Sequence, residues 1–157
     1  MNIRALRRED RPHIEKVLRD TNMFTEAEVQ VALELIDIYL NQKEQRDYLL
    51  HCAVDEHDRP CGYVCFGPTP LTVGTYDLYW IAVAPQWQGS GVGKALTEFV
   101  ERHALAANGR MIMIETSSQP KYEPTRQFYL RRNYPEIARI PDFYSPGDDR
   151  VIYCKKL

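Results

Sequence analysis

Seven consecutive residues, Gln88-Gly89-Ser90-Gly91-Val92-Gly93-Lys94, carry the plainest chemical signal in the chain. They lie between a run dense in aromatic and β-branched residues, Tyr76 to Val83, and an apolar periodic segment that opens at Gly91. Glycines at such a junction let another group approach the backbone closely, and the first amides of the helix that follows have no partner inside it. Those amides and the helix dipole suit an anion, most naturally a phosphate. The same glycines also fit a tight strand-to-helix turn that holds no ligand. Two phosphate motifs fail on the residues. A P-loop needs glycine at Gln88 and a hydroxyl at Ala95. A dinucleotide fingerprint needs glycine at Lys94 and normally opens a fold instead of following several strands.

Other reactive residue types are scattered. Cys61 and Cys65 sit four apart in a strand-like segment, on one face by alternation, without a second Cys or His pair to complete a zinc site. No metal is expected. Cys154 has no histidine placed to activate it, which argues against a thiol nucleophile. His103 falls on an apolar helical stripe and reads as a packed histidine. Arg7, Arg8 and Arg11 read as the solvated start of a helix.

Behind the turn stands a regular order of elements. Asn2 to Leu6 alternates like a strand, and Ile14, Val17 and Leu18 give a helix over about 11–19. Thr25 with Glu28 fits a capping box, with Phe24 placed as a staple, before a helix that runs to about Leu40. Tyr48 to Asp55 and Cys61 to Phe66 read as a hairpin. The strand over 76–83, the helix from Gly91 to about Asn108 and the strand from Met111 to Thr116 make a right-handed crossover, hence a parallel pair. Pro124 to Arg132 is a short helix, and Glu136 to Ile140 and Arg150 to Lys155 are closing strands.

The chain has 157 residues, 44% hydrophobic and 27% charged, which suits one α/β domain of ordinary size. A formal charge of −2 makes nucleic acid a poor partner. No run approaches the roughly 18 apolar residues of a membrane-spanning helix. No secretory pattern follows Arg4, Arg7 and Arg8, so a cytoplasmic protein with reduced cysteines is expected.

The spacing Gln-x-x-Gly-x-Gly, realised as Gln88, Gly91 and Gly93 after Ile81-Ala82-Val83-Ala84-Pro85, resembles the pyrophosphate loop of the GNAT superfamily of acyl-CoA N-acyltransferases. Arg126-Gln127-Phe128-Tyr129 followed by Arg132-Asn133-Tyr134 resembles that superfamily's last motif, with Asn133 in place of the usual glycine. The element order agrees over nearly the whole chain. The resemblance implies one N-acetyltransferase domain over 1–157, an α/β fold with a central mixed, twisted sheet of about seven strands flanked by four helices. It implies acetyl-CoA as cosubstrate, its pantetheine arm held by the backbone of Ile81, Ala82 and Val83. Its pyrophosphate would be held by Gln88, Gly89, Ser90, Gly91, Val92, Gly93 and Lys94. Dimers are common in such folds, so a homodimer is compatible with it.

By the same resemblance, Tyr129 stands where the family places the tyrosine that protonates the departing thiolate. Asp77 and Glu115 stand near positions where family members carry a catalytic glutamate, and a third alternative has no side-chain base at all. Strand alternation puts Asp77, Tyr79, Ile81 and Val83 on one side. Asp77, Tyr79, Glu115, Tyr122 and a loop over Asp142, Phe143 and Tyr144 are expected to face the acceptor, and that loop continues to Asp148 and Asp149. Carboxylates among aromatic rings suit a cation, and the second helix, with Met23 and Phe24 at its start, is expected to roof the pocket. A small amine or amino-acid-like acceptor follows from this. A protein or peptide N-acetyltransferase and a non-catalytic acyl-CoA sensor are the alternatives.

Overall fold

In the computed structural model, which describes all of residues 1–157, one seven-stranded sheet runs through the chain. Its strands are β1 (Asn2–Ala5), β2 (Leu49–Val54), β3 (Pro60–Pro68), β4 (Thr75–Val83), β5 (Met111–Ser117), β6 (Glu136–Ser145) and β7 (Asp148–Lys156). They stand in the order β1-β2-β3-β4-β5-β7-β6, and only β4 and β5 are parallel. The helices are α1 (Arg11–Asp20), α2 (Glu26–Asn41), α3 (Val92–Ala106) and α4 (Glu123–Leu130). The expected sheet, its parallel pair and its four helices are all present.

Each face of the sheet has its own core. Ile14, Leu18 and Ile36 of α1 and α2 pack on Leu50, Tyr63 and Cys65. Leu96 and Val100 of α3 and Tyr129 of α4 pack on Phe66, Ile112 and Ile114 of the opposite face. Fully burying an aliphatic side chain of this size stabilises by about 1.5–3 kcal/mol. The α2 start is built as its residues imply. Thr25 Oγ1 accepts from the Glu28 amide at 3.2 Å, and Glu28 Oε2 accepts from the Thr25 amide at 2.6 Å. Phe24 packs edge-on against Trp80, with ring centroids 5.2 Å apart, and so ties the helix entry to β4.

Two β-bulges overturn expectations based on strict alternation. Cys65 pairs with Trp80 but Phe66 pairs with Leu78, so Tyr79 is an extra residue in β4. Leu78 therefore shares the α3 face with Ile81 and Val83, while Trp80 and Ala82 pack toward α1 and α2. Asp77 consequently lies on the face opposite Ile81 and Val83, not beside them. Likewise Ala53 pairs with Gly62 and Val54 with Pro60, which leaves Cys61 as the extra residue. Cys61 joins the α3 core and Cys65 the α1–α2 core, so the two thiols sit on opposite faces.

The closing hairpin also differs from expectation. β6 continues through Asp142, Phe143 and Tyr144 to Ser145, and only Pro146 and Gly147 separate it from β7. All ten residues of β6 are exposed. The sequence pattern announces only its first half, Glu136 to Ile140, because the exposed continuation to Ser145 carries no buried face to mark it.

His51 of β2 sits among Phe66, Phe99 and His103, with the Phe99 ring 4.5 Å away, and its Nδ1 is buried without a hydrogen-bond partner. Burial, and then the neighbouring His103, lower its pKa to about 4. The unfolded chain takes up this proton near pH 6.5, whereas the folded chain resists it until about pH 4. The contribution is therefore complete above pH 6.5 and is lost as pH falls toward 4. Asp37, held low by its hydrogen bond from Arg11, titrates below that window. Urea unfolding between pH 7 and 4.5 should show falling stability in the native chain and a flatter profile in His51→Phe; equal slopes would assign the loss to other groups.

Candidate active site at the split between two strands

β4 and β5 pair over only four residues, Thr75–Leu78 with Met111–Ile114. Beyond Leu78, β4 keeps its partner β3, while Glu115 to Ser117 of β5 pair with β7 alone. The strands part like the arms of a V. Their split opens into a cleft of about 1580 Å³, larger than the roughly 300–1,000 Å³ common for one small ligand. It has room for two reactants.

The open edge of β4 offers backbone groups to the cleft. The Ala84 amide donates to the Cys61 carbonyl at 2.9 Å, so alternation turns the amides of Ile81 and Val83 the other way, toward the split. The Gln88 side-chain amide donates to the Val83 carbonyl at 3.2 Å. Ala82 itself is buried against α1 and α2.

At the far end of this edge lies the glycine turn. Gly89 and Gly91 have φ of +77° and +89°, and Gly91 is the N-cap of α3. This left-handed backbone, which only glycine adopts cheaply, leaves the amides of Gly89, Gly91, Val92, Gly93 and Lys94 without a backbone acceptor. Ser90 has no donor to spare, because its amide and hydroxyl both donate to the Trp87 carbonyl. The Val92 side chain is core, so only its amide faces outward. Lys94 Nζ stands 3.7 Å from Glu98. A phosphate fits this cradle as a partner for the orphan amides.

Tyr129 lines the cleft from α4, 4% exposed, between the rings of Phe128, Tyr134 and Tyr153. Its hydroxyl has no hydrogen-bond partner. Burial, and to a smaller degree Tyr153, push its pKa well above the ordinary phenol value. The group is therefore a proton donor at neutral pH, not a base.

The two carboxylates differ in their surroundings. Asp77 Oδ2 accepts from Thr69 Oγ1 at 2.6 Å and from the Tyr79 hydroxyl at 3.4 Å, and no cation pairs with it. Glu115 is paired with Arg150. Both line the cleft. Tyr122 and Lys121 donate to the Met23 carbonyl at 3.1 and 3.0 Å, which straps the segment before α4 to the segment before α2 across the acceptor side.

The hairpin carboxylates do not serve as expected. Asp142 (φ +54°) accepts from the Gly147 amide at 2.7 Å and lies outside the cleft lining, while Tyr144 remains in it. Asp149 accepts from the Asp142 amide at 3.0 Å. Asp148 is 5% exposed and accepts from Gln119 Nε2 at 2.7 Å, the Ser118 amide at 3.2 Å and Ser117 Oγ. Turn and loop construction occupies all three. Thr69, Arg150 and the Met23 carbonyl, which shape the site, carry no local motif and act on residues far away in sequence. No three His, Cys, Asp or Glu side chains are grouped as metal ligands are.

A sheet split beside a helix start with orphan amides offers an extended ligand a strand-like edge at one end and an anion site at the other. Residues 11–134 match the acetyltransferase (GNAT) family, and the chain belongs to that family. A crystal structure from Desulfovibrio desulfuricans, assigned to the GNAT family, superposes with a TM-score of 0.94 at 41% identity over 99% of this chain and 98% of that one. An aminoglycoside 6′-N-acetyltransferase complexed with coenzyme A has the same fold (TM-score 0.77, 16% identity, 99% and 97% coverage). An uncharacterised N-acetyltransferase of Methanocaldococcus jannaschii is 29% identical over 84 residues, 53% of each chain, so the match spans about half the length of that relative.

Valine at Gly91 would strain the backbone at φ +89° and put a branched side chain into the open space of the cradle. Gly91→Val should weaken acetyl-CoA binding by at least about tenfold, since such strain alone costs of order 1–3 kcal/mol, with the circular dichroism spectrum retained. Calorimetry showing unchanged affinity would place the cosubstrate elsewhere.

Proposed function

We propose that this chain is an acetyl-CoA-dependent N-acetyltransferase that moves an acetyl group directly to the primary amine of a small, cationic acceptor. One observation carries the reading: the unpartnered Tyr129 hydroxyl stands in the same cleft as the open edge of β4 and the orphan amides of α3. The thioester carrier would lie along Ile81 and Val83, with its pyrophosphate on the amides of Gly89, Gly91, Val92, Gly93 and Lys94. An amine enters as an ammonium with a pKa near ~10.4 and must lose a proton before it can attack. Asp77 is the better acceptor of that proton, through water. Glu115 is already engaged by the Arg150 guanidinium.

The amine lone pair then bonds to the thioester carbon, and a main-chain amide near Ile81 to Val83 faces the oxygen that gains charge. As the carbon–sulfur bond breaks, Tyr129 gives its proton to the thiolate, and the second proton, which the nitrogen sheds on becoming an amide, returns to the phenolate through water. Burial keeps this donor in its protonated form at working pH, which is the form the step needs.

The acceptor class rests on the strap and the lining. Tyr122 and Lys121 bridge to Met23, and Phe24, Tyr48, Tyr79, Trp80 and Tyr144 supply rings beside Asp77 and Glu28. Rings and unpaired carboxylates attract an ammonium, and a bridged mouth favours a compact molecule over a protein tail. A cytoplasmic setting agrees with four cysteines that are all free thiols.

Incubating a panel of small amines, amino acids and peptides with acetyl-CoA, followed by mass analysis, tests the reading. Products confined to peptides or proteins would overturn the small acceptor, and no product with any amine would favour a sensor. Tyr129→Phe should lower kcat by about 10²-fold, the lower end for loss of a general acid, with acetyl-CoA affinity nearly unchanged. Wild-type turnover in that variant would make the tyrosine structural.

A further inference from the structure

Arg131 and Arg132 are cleft-lining arginines that no carboxylate neutralises. Most other arginines of the chain are spent on acids: Arg4 on Asp10, Arg11 on Asp37, Arg126 on Glu123, Arg139 on Glu136 and Arg150 on Glu115. Arg131 is exposed and Arg132 half-buried, and both border the cleft at its α3 end. The Arg132 guanidinium stacks on the Phe128 ring, 3.8 Å from its centroid, and Nη1 donates to the Phe128 carbonyl at 3.3 Å. Its Nε is buried with no acceptor.

Phe128 in turn fixes this guanidinium beside the phosphate cradle. A Cβ added at Gly93 would come within 3.1 Å of the Phe128 ring, so ring and helix start are in close contact. The nearest acids, Glu98 and Glu101 of α3, are already engaged. Glu98 faces Lys94 at 3.7 Å, and Glu101 accepts from Lys155 at 2.9 Å and from the Tyr134 hydroxyl at 3.0 Å. Burial, followed by the like charge of Arg131, lowers the pKa of Arg132. Two adjacent cations, one preset on an aromatic ring, therefore stand one ring's width from a site for pyrophosphate with no anion of their own.

We propose that Arg131 and Arg132 bind a further phosphomonoester of the cosubstrate, the 3′-phosphate on the ribose of CoA, and make the chain select CoA over dephospho-CoA. This rests on the acyl-CoA reading above. A dianionic phosphate presents three acceptor oxygens, which match the planar donor fork of arginine. The stacking on Phe128 holds one fork in place before the ligand arrives, so little side-chain freedom is lost on binding. Arg131, free on the surface, closes from the other side.

Calorimetry of CoA and dephospho-CoA on the wild-type chain, Arg131→Gln and the double variant Arg131→Gln/Arg132→Gln tests this. The wild type should prefer CoA by about tenfold or more, in line with charge-assisted hydrogen bonds. The double variant should bring the two affinities together by weakening CoA alone. Arg131→Gln, at an exposed position that cannot threaten folding, should give an intermediate ratio. Equal affinities in the wild type, or an undiminished preference in both variants, would overturn the proposal while leaving the acyl-CoA reading intact. Failure of the wild type to bind either nucleotide would overturn both.

Discussion

A strand inside a sheet must satisfy two rows of backbone groups, and β4 satisfies the second row for only half its length. Next to β5 it is paired from Thr75 to Leu78. After that its outward N–H and C=O groups need some other partner, because buried unpaired backbone groups cost about 1–3 kcal/mol each. Gln88 meets part of this demand by donating to the Val83 carbonyl. The rest is a row of hydrogen-bonding groups that an extended molecule can complete. The extra residue at Tyr79 sits just past the last paired residue, where it re-aims the strand. The cleft, the approach to the α3 amides and the separation of Asp77 from Ile81 all depend on that one change of partner.

Carboxylates around the cleft divide by what holds them. Asp77 is held by two hydroxyls and paired with no cation. Glu115 is held by Arg150, and Asp148 by three donors from the loop Ser117–Gln119. Arg126 donates to the Ser117 and Gln119 carbonyls at 2.8 and 2.9 Å, so the same loop is gripped from both sides. The loop leads directly into Tyr122 and α4, which makes the placement of Tyr129 a consequence of this grip. Acids that look interchangeable in the sequence thus separate by their neighbours alone, one held by hydroxyls and the others by a cation or a loop.

The sequence was most legible where function is written in backbone conformation. The glycine spacing, the capping box at Thr25 and the parallel crossover are local patterns, and each is present as read. Alternation failed at Tyr79 and Cys61 because a bulge shifts parity without any residue that announces it. Asp142 was misread because a turn carboxylate and a ligand-binding carboxylate have the same side chain; only the Gly147 amide beneath it decides. Thr69 and Arg150, which hold Asp77 and Glu115, lie 8 and 35 residues from their partners in sequence. No window of local pattern connects them.

The fully exposed strand β6 forms one margin of the sheet. A long outer strand with Ile137, Ile140, Phe143 and Tyr144 on show would ordinarily be a template on which other chains could stack into fibrils. Pro141 removes an N–H from the middle of that row, and Asp142, at φ +54°, bends the backbone out of register immediately after it. Glu136, Arg139 and Asp142 add charge along the same margin. The margin is thus interrupted where an incoming strand would need it continuous.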